Sequence, residues 1–322
     1  MAKQISEIVE EIRRLAQKNK IKELVKLLSD LAYKYEKNPR RLIAVITLRI
    51  YYNIQLNASQ NVVADFNLIK SPYSDKWLYE SYPDKYGDRR GTMCPFSLYW
   101  MYCYYPYVMG SMYTALDRFY SLREYLEHQL SENPQQSEVY DSRIVCVGLL
   151  LIDILMSEKR LTDALTELLS MQRAHSKMSH VINAMIALVY TQIGDITNAQ
   201  KHIENAIEAG SKITEIYRGL RSALLGDFDN AYSIFNATLP LFKDEEPSSV
   251  VTACENLVLN NIAVTLFYMN NAAAGKVIID SCKNVHKTAK IFRAVTMNTT
   301  MLKELAMDID TKAVQVPGET PK

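Results

Sequence analysis

The sequence is poor in several features that mark particular classes of protein. Its 322 residues contain only five cysteines, which are scattered and form no C-x-x-C pair. An odd, dispersed set of cysteines favours free thiols in a reducing compartment, so we expect a cytoplasmic protein without a disulfide framework. The formal net charge is only +1, which provides no overall electrostatic attraction for nucleic acid, and no nucleic-acid partner is expected.

Long apolar runs are also missing. The longest, residues 144–156, has 13 residues and includes Asp153, whereas a membrane span needs about 20 apolar residues. The run therefore suits a core helix. The first residues are charged and follow a helical pattern, without the apolar segment of a signal peptide. Glycine and proline number only ten each, as expected for a helical protein that uses them at turns.

The motifs of the common enzyme classes are absent from the sequence. It contains no G-x-x-x-x-G-K-[ST], G-x-G-x-x-G, H-E-x-x-H or G-x-S-x-G. His175 and His180 are the closest pair of histidines, but their spacing puts them on different sides of a helix, which is poor for sharing a metal ion. We therefore predict that the protein is not an enzyme and has no catalytic residue, metal or other cofactor.

A recurring pair of small residues, twelve positions apart, is what the sequence does contain. Small residues on both sides of a turn let two antiparallel helices approach closely, as in the 34-residue tetratricopeptide repeat. The pattern predicts an all-α fold, a tetratricopeptide-like right-handed superhelix of helical hairpins. The three pairs are Ala187/Ala199, Gly219/Ala231 and Ala263/Gly275, with Gly194, Gly226 and Asn270 at the turns.

Segments outside the repeats extend the predicted organisation. The basic N-terminal helices could contact an anionic membrane, but their charge is interleaved with Glu, which favours a solvated face or a partner contact. Helix-breaking residues and aromatic content predict five parts of the chain. These are an N-terminal helical segment at 1–69, an aromatic-rich ordered connection at 70–95, the repeats at 96–287, a C-terminal capping helix at 288–308 and a disordered tail at 309–322.

The first helices of the later hairpins carry apolar and aromatic side chains at positions that face the concave side of this repeat. Such a surface must be covered, either by the last helix of the chain or by a helix or strand of a partner. The Lys, Asn and Arg residues that would grip a C-terminal carboxylate are not in register. The candidate partner contacts are Met185, Leu188, Ile216, Tyr217, Leu220, Val264, Phe267 and Tyr268.

Two arginines in the aromatic connection allow two interpretations. Arg89 and Arg90 could satisfy helix carbonyls or a local acid and so fix the connection. They could instead anchor an acidic segment of a partner. Both alternatives stay open, and the two residues complete the set of candidate contacts.

Three segments of the sequence resemble the tetratricopeptide subunit-twelve family of the TRAPP membrane-tethering complex. They are Y-G-D-R-R-G-T-M-C-P-F-S at 86–97, Q-I-G-D-I-T-N-A at 192–199 and N-N-I-A-V-T-L-F-Y-M at 260–269. The first is the most specific, because no repeat consensus requires it. The resemblance covers roughly residues 75–310.

This resemblance implies a non-catalytic scaffold subunit of a TRAPP III-type complex, which tethers membranes and exchanges guanine nucleotide on a Rab GTPase in ER-to-Golgi transport and autophagy. It implies other TRAPP subunits as partners, above all the large subunit eleven, with only an indirect link to the Rab GTPase. The protein would act peripherally at ER-Golgi intermediate and Golgi membranes, without inserting into them. The alternative is a tetratricopeptide adaptor or scaffold of an unrelated multiprotein complex.

Overall fold

The chain folds as a series of α-helices. The computed structural model describes residues 2–175, 178–208, 214–243, 249–282, 298 and 301. Those residues form α-helices and short 3-10 segments, with no strand beyond the isolated antiparallel bridge between Leu78 and Thr92. The predicted all-α, tetratricopeptide-like fold is confirmed. Apart from Asn298 and Met301, the predicted capping helix at 288–308 and tail at 309–322 lie outside the described residues.

Contacts divide the chain into two compact units, Met1–Glu158 and Lys159–Lys322. The helices of the first unit are α1 Ala2–Gln17, α2 Ile21–Lys34, α3 Pro39–Gln55, α4 Ser59–Ile69, α5 Pro83–Tyr86, α6 Phe96–Val108, α7 Met112–Glu132 and α8 Ser137–Ser157. Those of the second unit are α9 Leu161–Ala174, α10 Ser179–Ile193, α11 Ile196–Glu208, α12 Thr214–Leu224, α13 Phe228–Lys243, α14 Ser249–Tyr268 and α15 Ala272–Asp280. None of these helices combines the length and the apolar character needed to cross a bilayer.

In the first unit, α1 to α4 pack on one another in sequence order, as do α6 to α8, and α6 also contacts α3. Asn38 begins α3, because its side-chain oxygen accepts a hydrogen bond from the Arg41 N–H at 3.2 Å and Pro39 supplies a first helical residue that needs no donor. A buried ion pair joins α3 to α4. Arg49 Nε lies 3.1 Å from Asp65 Oδ2, and a second contact between the two side chains completes the pair.

The connection between α4 and α6 is held by its own aromatic residues and backbone. The Trp77 side chain is fully buried, and its indole N–H donates to the Ile69 carbonyl at 3.2 Å. Around it, Tyr79 N donates to Gly91 O at 3.0 Å and Met93 N donates to Trp77 O at 2.7 Å. These bonds satisfy buried backbone groups that an irregular segment would otherwise leave unpaired.

In the second unit, the small residues identified in the sequence lie where paired helices meet. All six members of the three pairs are buried. Gly219 makes the closest approach, because a Cβ atom at this position would lie 2.4 Å from Cε1 of the buried Phe235 ring. Gly194 ends α10 with a φ of 91°, a left-handed conformation that favours glycine.

A buried amide ties α9, α10 and α11 together. The Asn183 side-chain oxygen accepts a hydrogen bond from Gln172 Nε2 at 2.8 Å and lies 2.8 Å from His202 Nδ1. Because the Asn183 amide nitrogen already donates to Ser179 O, its oxygen must accept, and His202 Nδ1 carries the proton. Burial, with Lys201 adding to it, lowers the pKa of His202, which favours the neutral ring at this junction.

Helix α14 is largely buried along much of its length. No residue from Glu255 to Leu266 is exposed, and the buried set includes the polar side chains of Asn256 and Asn260. Asn298 Nδ2 donates to Asn260 Oδ1 at 2.8 Å. The surrounding helices α12, α13 and α15 supply the apolar contacts.

Candidate partner-binding surface

The second unit repeats an apolar position on three of its helices. Leu188, Leu220 and Val264 each follow the small residue at which their hairpin packs, so they occupy equivalent places on α10, α12 and α14. Leu188 is 45% exposed and Leu220 is 37% exposed, whereas Val264 is partly buried. Since equivalent repeat positions face the same side, they define one surface, which we call the apolar face of the second unit.

Met185 and Tyr217 form a second, more buried row. Each precedes the small residue of its hairpin by two positions, and each is partly exposed. Burial, with the neighbouring Cys254 of α14 adding to it, raises the pKa of Tyr217 to about 12. The Tyr217 phenol is thus partly buried beside α14, and only part of it is accessible at the surface.

An aromatic group ends the apolar face on α14. The Tyr268 side chain is 57% exposed and stacks on Phe228 with ring centroids 4.8 Å apart and planes 6° from parallel. Phe267 meets Tyr268 edge-on at 5.5 Å and packs against the small core around Ala263. Stacking fixes the large apolar ring at the surface, where such rings commonly anchor protein partners.

Ile216 does not lie on the apolar face. It is 2% exposed and belongs to the core that contains Phe235 and Ile262. Helix α12 buries the side that carries Ile216, Gly219 and Ser222, three residues at helical spacing. This corrects the expectation that Ile216 contacts a partner.

Arg89 and Arg90 are exposed in the first unit, whereas the other candidates belong to the second. The Arg89 guanidinium lies 4.2 Å from the centre of the Tyr79 ring. The Gly91 N–H donates to Glu80 Oε1 at 2.8 Å and holds the pKa of Glu80 below its usual value; backbone bonding at Glu80 and the charge of Arg90 also lower it. The Arg89 contact lies within the aromatic connection, whereas Arg90 shows only a charge effect on Glu80.

The sequence analysis missed an open depression of about 430 Å³ in the first unit. It lies between α6 and α8, and its lining residues are Phe96, Glu138, Val139, Ser142, Arg143 and Cys146. Four lining residues, Val139, Ser142, Arg143 and Cys146, have helical i, i+3, i+4, i+7 spacing, which is a signal present in the sequence. This spacing was not recognised as a surface feature, because the long apolar run on α8 indicated only a core helix.

The described residues contain no group of three or more His, Cys, Asp or Glu side chains that could hold a metal ion. The arrangement offers apolar faces, ring edges and charged groups held beside aromatic rings. Such features bind other chains by burial and shape.

Comparison with known proteins fits this arrangement. The chain is 22% identical over 288 residues to trafficking protein particle complex subunit 12 of Mus musculus, and the match covers 80% of the chain and 34% of that protein. The chain is similar to TRAPP subunit 12. The Homo sapiens protein of the same name gives the same identity and coverage of the chain, with 37% of its own length matched. The resemblance predicted from the sequence is confirmed, although the chain spans only about a third of these relatives.

Solved structures support the fold. A tetratricopeptide repeat protein from Parabacteroides merdae matches with a TM-score of 0.50 at 12% identity, covering 92% of this chain and 98% of that one. The apo form of the quorum sensor NprR from B. thuringiensis matches with a TM-score of 0.53 at 14% identity, covering 95% and 82%. At these identities the likeness concerns the fold alone. No protein-family model matches the chain.

Proposed function

We propose that this chain is a non-catalytic scaffold subunit of a TRAPP III-type tethering and Rab guanine-nucleotide exchange complex. It would act in ER-to-Golgi transport and autophagy, at ER-Golgi intermediate and Golgi membranes to which other subunits recruit it from the cytoplasm. The observation that carries the proposal is the repeated apolar face, with Leu188, Leu220 and Tyr268 exposed, in a chain similar to subunit 12.

The mechanism is positional. A helical repeat array presents a fixed surface, and burial of its apolar side chains by a second protein yields about 25 cal/mol per Å² of apolar area removed from water. The preferred partner is the large subunit eleven of the complex. The chain would orient the larger subunits, so that the catalytic core meets its Rab GTPase, without taking part in nucleotide exchange.

An affinity purification from cells tests the proposal. The tagged chain should recover the TRAPP subunits in near-stoichiometric amounts, as measured by mass spectrometry at moderate salt. Leu220→Glu and Tyr268→Glu should abolish recovery, because each puts a charge in the middle of an apolar contact. Both residues are exposed in the free chain, so folding should be retained, and circular dichroism checks this.

Val277→Glu is the matched control. Val277 lies on α15, outside the apolar face, and is 70% exposed, so its replacement should leave recovery unchanged. Recovery of a different stoichiometric assembly would favour the alternative scaffold function. Normal recovery by folded Leu220→Glu and Tyr268→Glu variants would exclude the apolar face as the contact surface.

A further inference from the structure

The depression between α6 and α8 has the size of a ligand site but the form of an open groove. Its volume of about 430 Å³ falls within the range of about 300–1,000 Å³ typical of pockets. It is wide open to solvent rather than enclosed. An open, largely apolar groove suits side chains of a peptide better than a small molecule, which needs most of its surface buried.

The two helices that border the groove run in the same direction. At one end, Phe96 of α6 lines the groove with Val139 and Cys146 of α8. At the other end, Tyr107 of α6 lies near Ser157 and Glu158. Burial is the main cause that raises the pKa of Tyr107, and these two residues also influence that pKa. Helices α6 and α8 therefore lie side by side, and the depression is at the end that carries Phe96.

Arg143 supplies a cation at the apolar end of this groove. Its guanidinium lies 5.1 Å from the centre of the Phe96 ring and 5.6 Å from that of Tyr140. Within the described residues it contacts these rings and forms no ion pair with a carboxylate. Stacking holds the planar group in place while its N–H donors remain able to bind a carboxylate through two parallel hydrogen bonds.

We infer that this groove binds a linear peptide segment of a partner, one that carries a single acidic residue beside an aliphatic residue. The aliphatic side chain would fill the depression between Phe96 and Val139, and the carboxylate would pair with Arg143. Glu138, five residues before Arg143 on α8, also lines the depression, and a second acidic residue of the peptide would meet its carboxylate there. This inference depends only on the first unit and is independent of the apolar face in the second.

Selection from a display library of 12-residue peptides, with the full chain as bait, tests the inference. Bound peptides should be enriched in an aliphatic residue within two positions of one Asp or Glu. For an enriched peptide measured by fluorescence anisotropy, Arg143→Gln should raise the Kd about tenfold or more, because a charge-assisted pair is lost. Glu138→Gln should leave binding unchanged or strengthen it.

Arg41→Gln is the matched control, because Arg41 stacks over Tyr35 at 5.3 Å in the same unit but outside the groove. It should leave the Kd unchanged. Val139→Asp provides a second groove variant that should fold, since Val139 is 47% exposed, and it should weaken binding by placing a carboxylate near Arg143.

Cysteine labelling locates the bound peptide. Cys146 lines the groove and is exposed, whereas Cys103 is completely buried. A saturating peptide should slow alkylation of Cys146 several-fold, with Cys103 unlabelled throughout as a check on folding. Enrichment of basic peptides, binding that is insensitive to Arg143→Gln, or an unprotected Cys146 would each overturn the inference, as would a selection that enriches no peptide.

Discussion

Gly219 allows the sharpest test of the repeat packing. Replacing it with alanine adds one methyl group in the middle of α12, at a place where an added Cβ atom would meet three atoms of the Phe235 ring at 2.4 to 2.7 Å. These distances are shorter than any normal contact. The ring is 1% exposed and is enclosed by its core neighbours, so it has little room to move.

Two opposing effects decide the outcome. Alanine favours a helix interior over glycine by about 1 kcal/mol. Overpacking a filled core costs about 1–3 kcal/mol, and the rigidity of the ring favours the upper end. We expect Gly219→Ala to lower the free energy of unfolding by about 2 kcal/mol.

A double-mutant cycle with Phe235→Leu tests the cause. The smaller side chain removes the ring atoms that the new methyl group would strike, so Gly219→Ala should become neutral or slightly stabilising in that background. The coupling between the two changes should be about 2 kcal/mol or more. Urea unfolding followed by far-UV circular dichroism gives these values, provided that the slope with urea stays constant.

Arg218 on the same helix provides the reference for backbone preference. It is exposed and pairs with Glu215, an interaction that both Arg218→Ala and Arg218→Gly remove. The alanine variant should be the more stable of the two by about 1 kcal/mol. If Gly219→Ala stabilised the protein by a similar amount, the close approach of α12 and α13 would be refuted.

Three further perturbations test other parts of the structure. Arg49→Met should cost about 3–5 kcal/mol at neutral pH, because it leaves Asp65 charged and buried. Burial raises the pKa of Asp65 and Arg49 lowers it, so the pKa in the variant lies higher still. Urea unfolding should show the deficit shrinking as pH falls through the variant's pKa and the carboxyl group becomes neutral. Asn183→Asp should change the pKa of His202 from below to above its usual value of about 6.5, and NMR titration measures this. The native protein loses the contribution of His202 to its stability as pH falls below the unfolded-state pKa. The variant should instead lose it as pH rises through the folded-state pKa. Gly194→Ala should lower the free energy of unfolding by about 1–2 kcal/mol, because residue 194 has a left-handed φ. Gly194→Asn should cost less, since Asn270 adopts a φ of 59° at the equivalent turn. Equal losses for the two variants would contradict this reasoning.

The helical hairpins could be predicted from sequence because their packing depends on a local, repeated requirement. A small residue such as Ala187 is needed wherever two helices approach closely, and its partner, Ala199, lies at a fixed distance along the chain. The same pattern that identified the hairpins also located Leu188 and Leu220, because each follows a small residue directly. The local spacing of small residues was therefore sufficient to predict both the hairpin fold and part of the candidate surface.

The side of α12 that is buried could not be derived in this way. Ile216 and Tyr217 are adjacent apolar residues, and helical periodicity allows either to face the core. The choice depends on Phe235, which comes from the next helix and occupies the space beside Gly219. Packing between helices, rather than the pattern of one helix, decides such positions.

Contacts between segments distant in sequence could not be predicted from the sequence either. Aromatic content predicted an ordered connection at 70–95, but the pairing of Leu78 with Thr92 leaves no periodic trace. The groove beside Arg143 needs α6 and α8, which are separated by the whole of α7. Only the three-dimensional arrangement brings Phe96 next to Arg143.

The enclosure of α14 has a consequence for how fast its backbone exchanges hydrogen with solvent. Val258, Ile262 and Leu266 lie on the buried side of a helix that has no exposed residue from Glu255 to Leu266, so a small local opening exposes their amides little. Their deuterium uptake should then occur only when the second unit unfolds as a whole. The exchange rate of these amides therefore reports the unfolding of the second unit, and the faster exchange at the fraying ends of the other helices can be compared with it.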